Sequence, residues 1–203
     1  MGNIKYKISN NYNEKEFNIF KLKNINTLWS ECISGSTLYR VWQNICLSNL
    51  KISGDVIDLG SKDKTQSYYK FLNVDDVIKI SNCDLYKESK DIIKLDLNKP
   101  FNLKNNYETV ILLNVIQHLE EPLHCLNEIK KILNSNGTFI GSAAFSHCYH
   151  PSPFDYYRFS HMAIKHFLKK VGFHNIKVYK IGSGLFSSSL HHLIRALRLK
   201  PLV

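Results

Sequence analysis

The residues whose types and spacing can do chemistry stand just past short apolar runs. The stretch "GDVIDLGSKDKTQSYYKFL" (54–72) closes an apolar run with Asp58-Leu59-Gly60, continues through a polar turn from Ser61 to Lys64, and then enters a segment that can be helical. A strand stopping at a glycine-led turn before a helix is how an α/β chain offers its backbone to a nucleotide-like ligand. Later runs end in a similar way. "ISNCD" ends in Asp84, "IIKLDLN" carries Asp96 and Leu97, "TVILLN" ends in Asn114 with His118 four residues on, and "TFIGSAAFSHCYH" leads to His150. A carboxylate at a strand end can accept hydrogen bonds from ribose hydroxyls or an adenine amino group, and Asp63 or Asn82 could substitute for one of them. The structural alternative for each is a loop cap or a turn residue. His147-Cys148-Tyr149-His150 has poor spacing for zinc and no further clustered Cys or His, so no metal site is expected.

Such residues act together only if a sheet gathers them. Six short runs rich in β-branched residues predict strands: "VIDL" (56–59), "VIKI" (77–80), "IIKL" (92–95), "TVILL" (109–113), "TFIGS" (138–142) and "IKVYKI" (176–181). Between the last three lie two predicted helices. "EEPLHCLNEIKKILNSNG" opens on two acids and a proline and stops at Asn136-Gly137; "SHMAIKHFLKKVGF" runs from a Ser160 cap to Gly172. Upstream, Leu38, Trp42, Ile45 and Leu50 draw a helical face behind Ser36 or Thr37 as caps. Alternating strands and helices imply βαβ units, hence an α/β fold: a doubly wound, mainly parallel sheet in a three-layer sandwich. In such a sheet the ligand lies beyond the carboxyl ends of the strands, where the winding direction reverses. Residues 1–27 read as an irregular arm, 28–181 as one domain, and 182–203 as a basic amphipathic helix.

A chain of 203 residues that is 44% apolar can bury one good core. Its start is polar and charged, unlike a signal peptide, and Tyr6 stands where a myristoylation motif wants Ser or Thr. The longest apolar runs are too short to span a bilayer. Five scattered cysteines without a Cys-x-x-Cys pair fit a reduced, cytoplasmic protein. The net charge of +10 is spread along the chain with no dense basic block, which favours solvating lysines over a nucleic-acid surface. In the tail, His191, His192, Arg195, Arg198 and Lys200 lie away from an apolar stripe of Phe186, Leu190, Leu193, Ile194 and Leu197. That helix suits weak contact with an anionic membrane, or a cover for an open sheet edge; the second is favoured.

From about Gly54 to Lys177 the chain resembles class I S-adenosylmethionine-dependent methyltransferases. Within them it is similar to a small bacterial type associated with polysaccharide and glycolipid biosynthesis. "VIDLGSKDK" resembles the first motif, "ISNCD" and "IIKLDLNKPF" the second and third strand ends, and "YETVILLNVIQHLEEPLHCLNEIKKILNSNGTFIGSAAF" the fourth-to-fifth strand block. "HPSPFDYYRFS" resembles the segment after the fifth strand in that type. The resemblance implies S-adenosylmethionine as cofactor, with Asp58, Gly60, Ser61 and Asn114 around it, Asp84 on the ribose, and Asp96 and Leu97 beside the adenine. It places His118 beside the methyl-transfer pocket.

Two departures stand out. The first motif usually has two or three glycines and here has only Gly60, with Lys62 and Lys64 in places where a side chain can crowd the cofactor. After "IKVYKI" no run suits the antiparallel seventh strand of the family, so that strand is expected to be missing. By analogy with the type, the acceptor is a sugar, O- or N-methylated, nucleotide-linked or part of a surface polysaccharide or lipid-linked glycan. RNA or protein methylation, or a degenerate binding subunit, are the alternatives; a dehydrogenase is disfavoured by the missing G-x-G-x-x-G. Methyl transfer from a sulfonium is a direct displacement, so a hydroxyl acceptor benefits from a base. His150 is the candidate base because imidazole as a class exchanges protons near neutral pH. Asp155 would orient it or replace it, Arg158 would hold a phosphate or carboxylate, and Tyr156 and Tyr157 would face a sugar ring. In the plainer reading Asp155 and Arg158 pair with each other.

Overall fold

The computed structural model describes residues 22–34, 36–87, 89–103, 106–179 and 181, with Ser189 and Leu193 beyond them. Two helices come first, α1 (Leu22–Ile33) and α2 (Leu38–Leu47). Then follow β1 (Lys51–Leu59), β2 (Asn73–Asp84), β3 (Ile92–Lys94) and β4 (Tyr107–Leu113). The last elements are α3 (Pro122–Ile132), β5 (Leu133–Ser142) and α4 (His161–Val171), with single 3-10 turns at Tyr69–Phe71 and Ile116–His118. The five strands lie in the order β3-β2-β1-β4-β5, and all four pairings are parallel. The winding therefore reverses between β1 and β4, and their carboxyl ends flank a switch point.

Two-residue periodicity divides the central strands between two cores. Ile57 and Leu59 of β1 and Val110 and Leu112 of β4 pack with Leu126, Ile129 and Ile132 of α3, and Phe167 and Leu168 of α4 join them. Val56, Ile111, Leu113 and Ile140 face the other way, onto Leu47 of α2 and onto Tyr68 and Leu72. Strands covered on both faces have no polar side to show, hence the unbroken apolar runs. The result is the three-layer α/β sandwich read from the sequence.

Local signals set several ends. Thr37, rather than Ser36, caps α2, accepting from the Arg40 N–H at 3.4 Å. Ser160 caps α4 by accepting from the Ala163 N–H, and Gly172 ends it in the left-handed region at φ 90°. There the Phe173 N–H closes onto the Leu168 carbonyl.

Other expectations need correction. The segment after β1 forms no helix beyond the single turn Tyr69–Phe71; its tyrosines are drawn inward to a buried carboxylate. α3 stops at Ile132 and β5 starts at once, so Asn136-Gly137 lies within a strand. Three extra residues of β5 are absorbed there by a register shift, Leu133 facing Tyr107 and Thr138 facing Thr109. Residues 176–179 join no strand: alternating polarity sets which side chains face inward, but a strand also needs a neighbour for its N–H and C=O groups. Leu22 to Thr27, expected as irregular arm, are already helical, and residues 1–21 lie outside the described residues. The tail helix expected over 182–203 also lies outside them, save for Ser189 and Leu193, which are helical.

Ser160→Ala should lower unfolding free energy by about 1 kcal/mol, the usual cost of losing an N-cap side chain, measured by urea denaturation.

Candidate functional site at the carboxyl ends of the strands

Asp58, the last-but-one residue of β1, is 1% exposed. Its Oδ2 accepts from the Tyr68 hydroxyl at 2.5 Å and from the Tyr69 hydroxyl at 2.7 Å. Asn82, the neighbour of Asp58 on β2, donates through Nδ2 to Tyr69 Oη at 2.6 Å and to Ser61 Oγ at 2.7 Å. The stacked rings of Tyr68 and Tyr69 thus close over the strand end, with centroids 5.0 Å apart. Burial pushes the Asp58 carboxyl up to about 6 against the opposing pull of the two tyrosines and Ser61. Burial first, then the charge of Asp58, pushes both tyrosine hydroxyls up as well. Gly60 has φ +82°, and a Cβ there would meet Val115 Cγ2 at 2.8 Å. Two residues on, Lys62 holds φ 61° without being glycine, so the turn keeps a glycine-like backbone at a cost in strain. Lys62 and Lys64 are both exposed, and so do not block the turn from within.

At the end of β2, Asp84 is buried at 7% exposure and its Oδ1 accepts from the Tyr86 and Lys87 N–H groups at 2.9 and 2.8 Å. Asp96, past β3, accepts from the Asn98 N–H at 3.0 Å and pairs with Lys99 at 3.0 Å. Partial burial raises its carboxyl, but the Asn98 N–H and Lys99 outweigh that and hold it below the ordinary value. Leu97 is buried with Ile116 and Leu119 in the main core.

Asn114, the residue after β4, also lies in the left-handed region, at φ 56°. Its N–H donates to Ser142 O and Oγ, its Oδ1 accepts from the Ser142 hydroxyl, and its Nδ2 donates to Gln43 Oε1 of α2 at 2.7 Å. Its carbonyl accepts from Gln117 Nε2 at 2.8 Å. Gln117 also holds the loop beyond β5, because its carbonyl accepts from the N–H groups of Tyr156 and Tyr157. His118 has both ring nitrogens engaged: Nδ1 lies 2.6 Å from the Phe154 carbonyl and Nε2 lies 3.3 Å from Gln117 Nε2. It anchors the loop, and a direct proton-transfer role would require it to give up one of these contacts.

The loop itself overturns one expectation. Arg158 meets Asp155 through both terminal nitrogens, at 2.5 and 2.7 Å, and also donates to the carbonyls of His147, Cys148 and Tyr157. All five of its N–H groups are directed within the protein, so it is not an open fork for a phosphate or carboxylate. Asp155, its side chain 2% exposed, also accepts from the His150 N–H at 2.7 Å. Chiefly because of Arg158, its carboxyl lies far below the usual range, which disqualifies it as a base. Paired arginine and aspartate fix the loop's shape, the plainer of the two readings. The His150 ring lies 6.0 Å from that of His118 and 5.6 Å from that of His147. No group of three His, Cys, Asp or Glu side chains among the described residues is arranged to hold a metal ion. Tyr156 and Tyr157 are 45% and 38% exposed; Tyr156 lies beside Phe154, while Tyr157 stacks one face on the buried Phe159 and donates its hydroxyl to the Glu120 carbonyl at 3.1 Å.

Tyr68, Tyr69, Gln43 and Gln117 are the participants that sequence reasoning missed. Only the "SYY" pair after the glycine turn carried a local hint; the two glutamines meet Asn114 through tertiary packing alone. A shallow depression of about 550 Å³ near Asn106, Glu108 and Gly137 lies at the opposite, amino end of β4 and is remote from these residues.

No protein-family model matches the sequence, and no curated protein matches it. Solved structures do. PigF with SAH is 15% identical, with a TM-score of 0.54 over 82% of this chain and 65% of that one. A SAM-dependent methyltransferase from Aquifex aeolicus is 18% identical, with a TM-score of 0.49 over 66% and 80%. The fold is the Rossmann-like methyltransferase fold.

Asp58 gives the site a pH signature. Its folded pKa lies above the ordinary 3.8, so the fold favours the protonated form. Its contribution to stability is fully present below about 3.8 and is lost as pH rises through about 6, a fall of about 3 kcal/mol. Asp58→Asn should remove this slope, seen as wild-type and variant urea midpoints that move apart between those pH values and run parallel above them.

Proposed function

We propose that this protein is an S-adenosylmethionine-dependent methyltransferase acting on a small-molecule or glycan acceptor, with a sugar as the acceptor class. The observation that carries this is the switch point itself. Gly60, Lys62 and Asn114, at the adjoining ends of β1 and β4, are all held in the left-handed region, and backbone strain of that kind collects where ligands are handled. The residues fit the cofactor best at its ribose end. Asp84 uses Oδ1 within its own turn, and Oδ2 takes no hydrogen bond among the described residues, leaving an acceptor for a hydroxyl. Gly60 and Ser61 would face the methionine portion and Asp96 the adenine amine.

The bound cofactor supplies an electrophilic methyl group on sulfur. The chain's own work is to orient the attacking atom, exclude water and accept a proton. His150, fixed at its backbone by Asp155, is the base in this reading, and the Asp155–Arg158 pair positions it. Tyr156 and Tyr157 offer flat faces to a sugar ring. The net charge of +10 suits an acceptor with a diphosphate handle. RNA is less favoured, because the charge forms no dense block.

A second reading, a binding subunit without catalysis, is favoured by one observation: Tyr68 and Tyr69 bond the carboxylate of Asp58 and stand where a helix would open from the turn. Calorimetry with S-adenosylhomocysteine separates the first steps. Binding that saturates below millimolar ligand, and weakens about tenfold in the isosteric Asp84→Asn, supports the cofactor site. No heat at all sinks both the site and the activity. Labelled methyl transfer should appear with nucleotide sugars or cell-wall extract; incorporation only into RNA replaces the acceptor class, and cofactor binding with no transfer anywhere favours the binding subunit. His150→Ala should lower transfer by about a hundredfold or more with cofactor affinity and melting temperature unchanged, whereas an undiminished rate moves the base elsewhere.

A further inference from the structure

Asn114 sits between two buried glutamines that each keep one polar atom without a partner among the described residues. Gln43 is 7% exposed and Gln117 is 5% exposed. The bonding around Asn114 determines which atoms are left. The Asn114 N–H donates to Ser142 Oγ, so the Ser142 hydroxyl proton is directed at Asn114 Oδ1. Asn114 Nδ2 then donates to Gln43 Oε1, and the remaining atom, Gln43 Nε2, is a donor with no partner. On the other side, Gln117 Nε2 must donate, because it meets the Asn114 carbonyl at 2.8 Å. The remaining atom, Gln117 Oε1, is an acceptor with no partner. Leaving a buried polar atom unsatisfied costs roughly 1–3 kcal/mol, so native chains keep few of them and each requires a reason.

One donor and one acceptor, held on opposite ends of the same asparagine at the carboxyl end of β4, match a group that both accepts and donates. A neutral hydroxyl does so. We propose that Gln43 and Gln117 bind a hydroxyl of the methyl acceptor, Gln43 donating to it through Nε2 and Gln117 accepting from it through Oε1. The inference rests on the methyltransferase reading and adds what that reading lacks: a selector for hydroxylated acceptors, with α2 as part of the site. Neither orphan atom is reached by solvent, so a hydroxyl binds there only if the packing around them opens. A carboxylate would be satisfied by Gln43 but repelled by Gln117 Oε1, so a neutral group is selected over an anionic one at this point.

The test uses full-length protein saturated with S-adenosylhomocysteine and a panel of free hexoses and nucleoside-diphosphate hexoses, with affinity read from the rise in melting temperature. At least one sugar should bind the wild type. Gln43→Glu keeps the oxygen that Asn114 needs and replaces the unpaired donor by an acceptor; Gln117→Met removes the unpaired acceptor and with it the Nε2 donor to Asn114, a loss that reads separately as a fall in the melting temperature of the unliganded protein. Each should weaken that sugar about tenfold or more, the value of one hydrogen bond, while homocysteine-ligand affinity stays unchanged. The deoxy sugar lacking the recognised hydroxyl should bind wild type and variants alike. Gln43→Met serves if the glutamate variant folds poorly. Unaltered sugar affinity in the variants, no sugar binding, or an equal loss for every deoxy sugar overturns the proposal and leaves the orphan atoms to a trapped water. Failure of S-adenosylhomocysteine to bind the wild type overturns the methyltransferase reading instead.

Discussion

A carboxylate that is almost wholly buried must be given donors, and the way Asp58 receives them organises one side of this molecule. Its two donors come from adjacent residues, Tyr68 and Tyr69, which must fold inward together to reach it. That demand is compatible with a single 3-10 turn and leaves the segment after β1 without a longer helix. Asn82 then links Tyr69 to Ser61, so the ends of β1 and β2 and the turn between them form one hydrogen-bonded unit. In a low-dielectric interior such a unit is stiff when complete and costly when any member is removed. The rings of Tyr68 and Tyr69 also supply apolar surface to the core on the α2 side of the sheet, so one pair of side chains serves the charge and the packing.

The other side of the switch point is organised by amides rather than by a charge. Gln117 touches β4 through Asn114 and the loop after β5 through Tyr156 and Tyr157, while His118 beside it takes hold of Phe154. The loop is braced from within by Arg158, whose five donors all find oxygen atoms of residues 147–157. A guanidinium bonded in this way has little to offer a ligand, and Asp155, held ionised by it, has little affinity for a proton. What the arrangement offers instead is placement: the backbone N–H of His150 is fixed on Asp155, and Tyr156 and Tyr157 stand at the surface. The ion pair is thus a brace that sets the shape of the loop.

Much of the fold was legible in the sequence because its causes are local. Val56 to Leu59 and Thr109 to Leu113 are apolar on both faces, and only a strand covered on both sides tolerates that. Ser160 and Gly172 mark the two ends of α4 through backbone bonding that a side chain or its absence dictates directly. Alternation with helices called for a parallel sheet; the order β3-β2-β1-β4-β5, which locates the switch point, came from the structure. The placement of Asp58, Asp84, Asp96 and Asn114 at strand ends needed nothing further, since a residue's position on a strand is fixed by counting.

Partnership was decided elsewhere. Whether Arg158 faces a ligand or Asp155 depends on a three-residue separation that permits both, and the enclosing carbonyls of His147, Cys148 and Tyr157 settle it. Residues 176–179 have the polarity of a strand but joined none, because pairing requires a neighbour's backbone. Gln43 and Asn114 are 71 residues apart, and no spacing rule connects them. The sequence by itself determined the layers, the parallel sheet and the strand ends where acids and amides would stand, because those follow from periodicity and backbone capping. Tertiary structure alone decided which of those groups are engaged by neighbours and which are not, because a hydrogen bond depends on distance in space and not on distance along the chain.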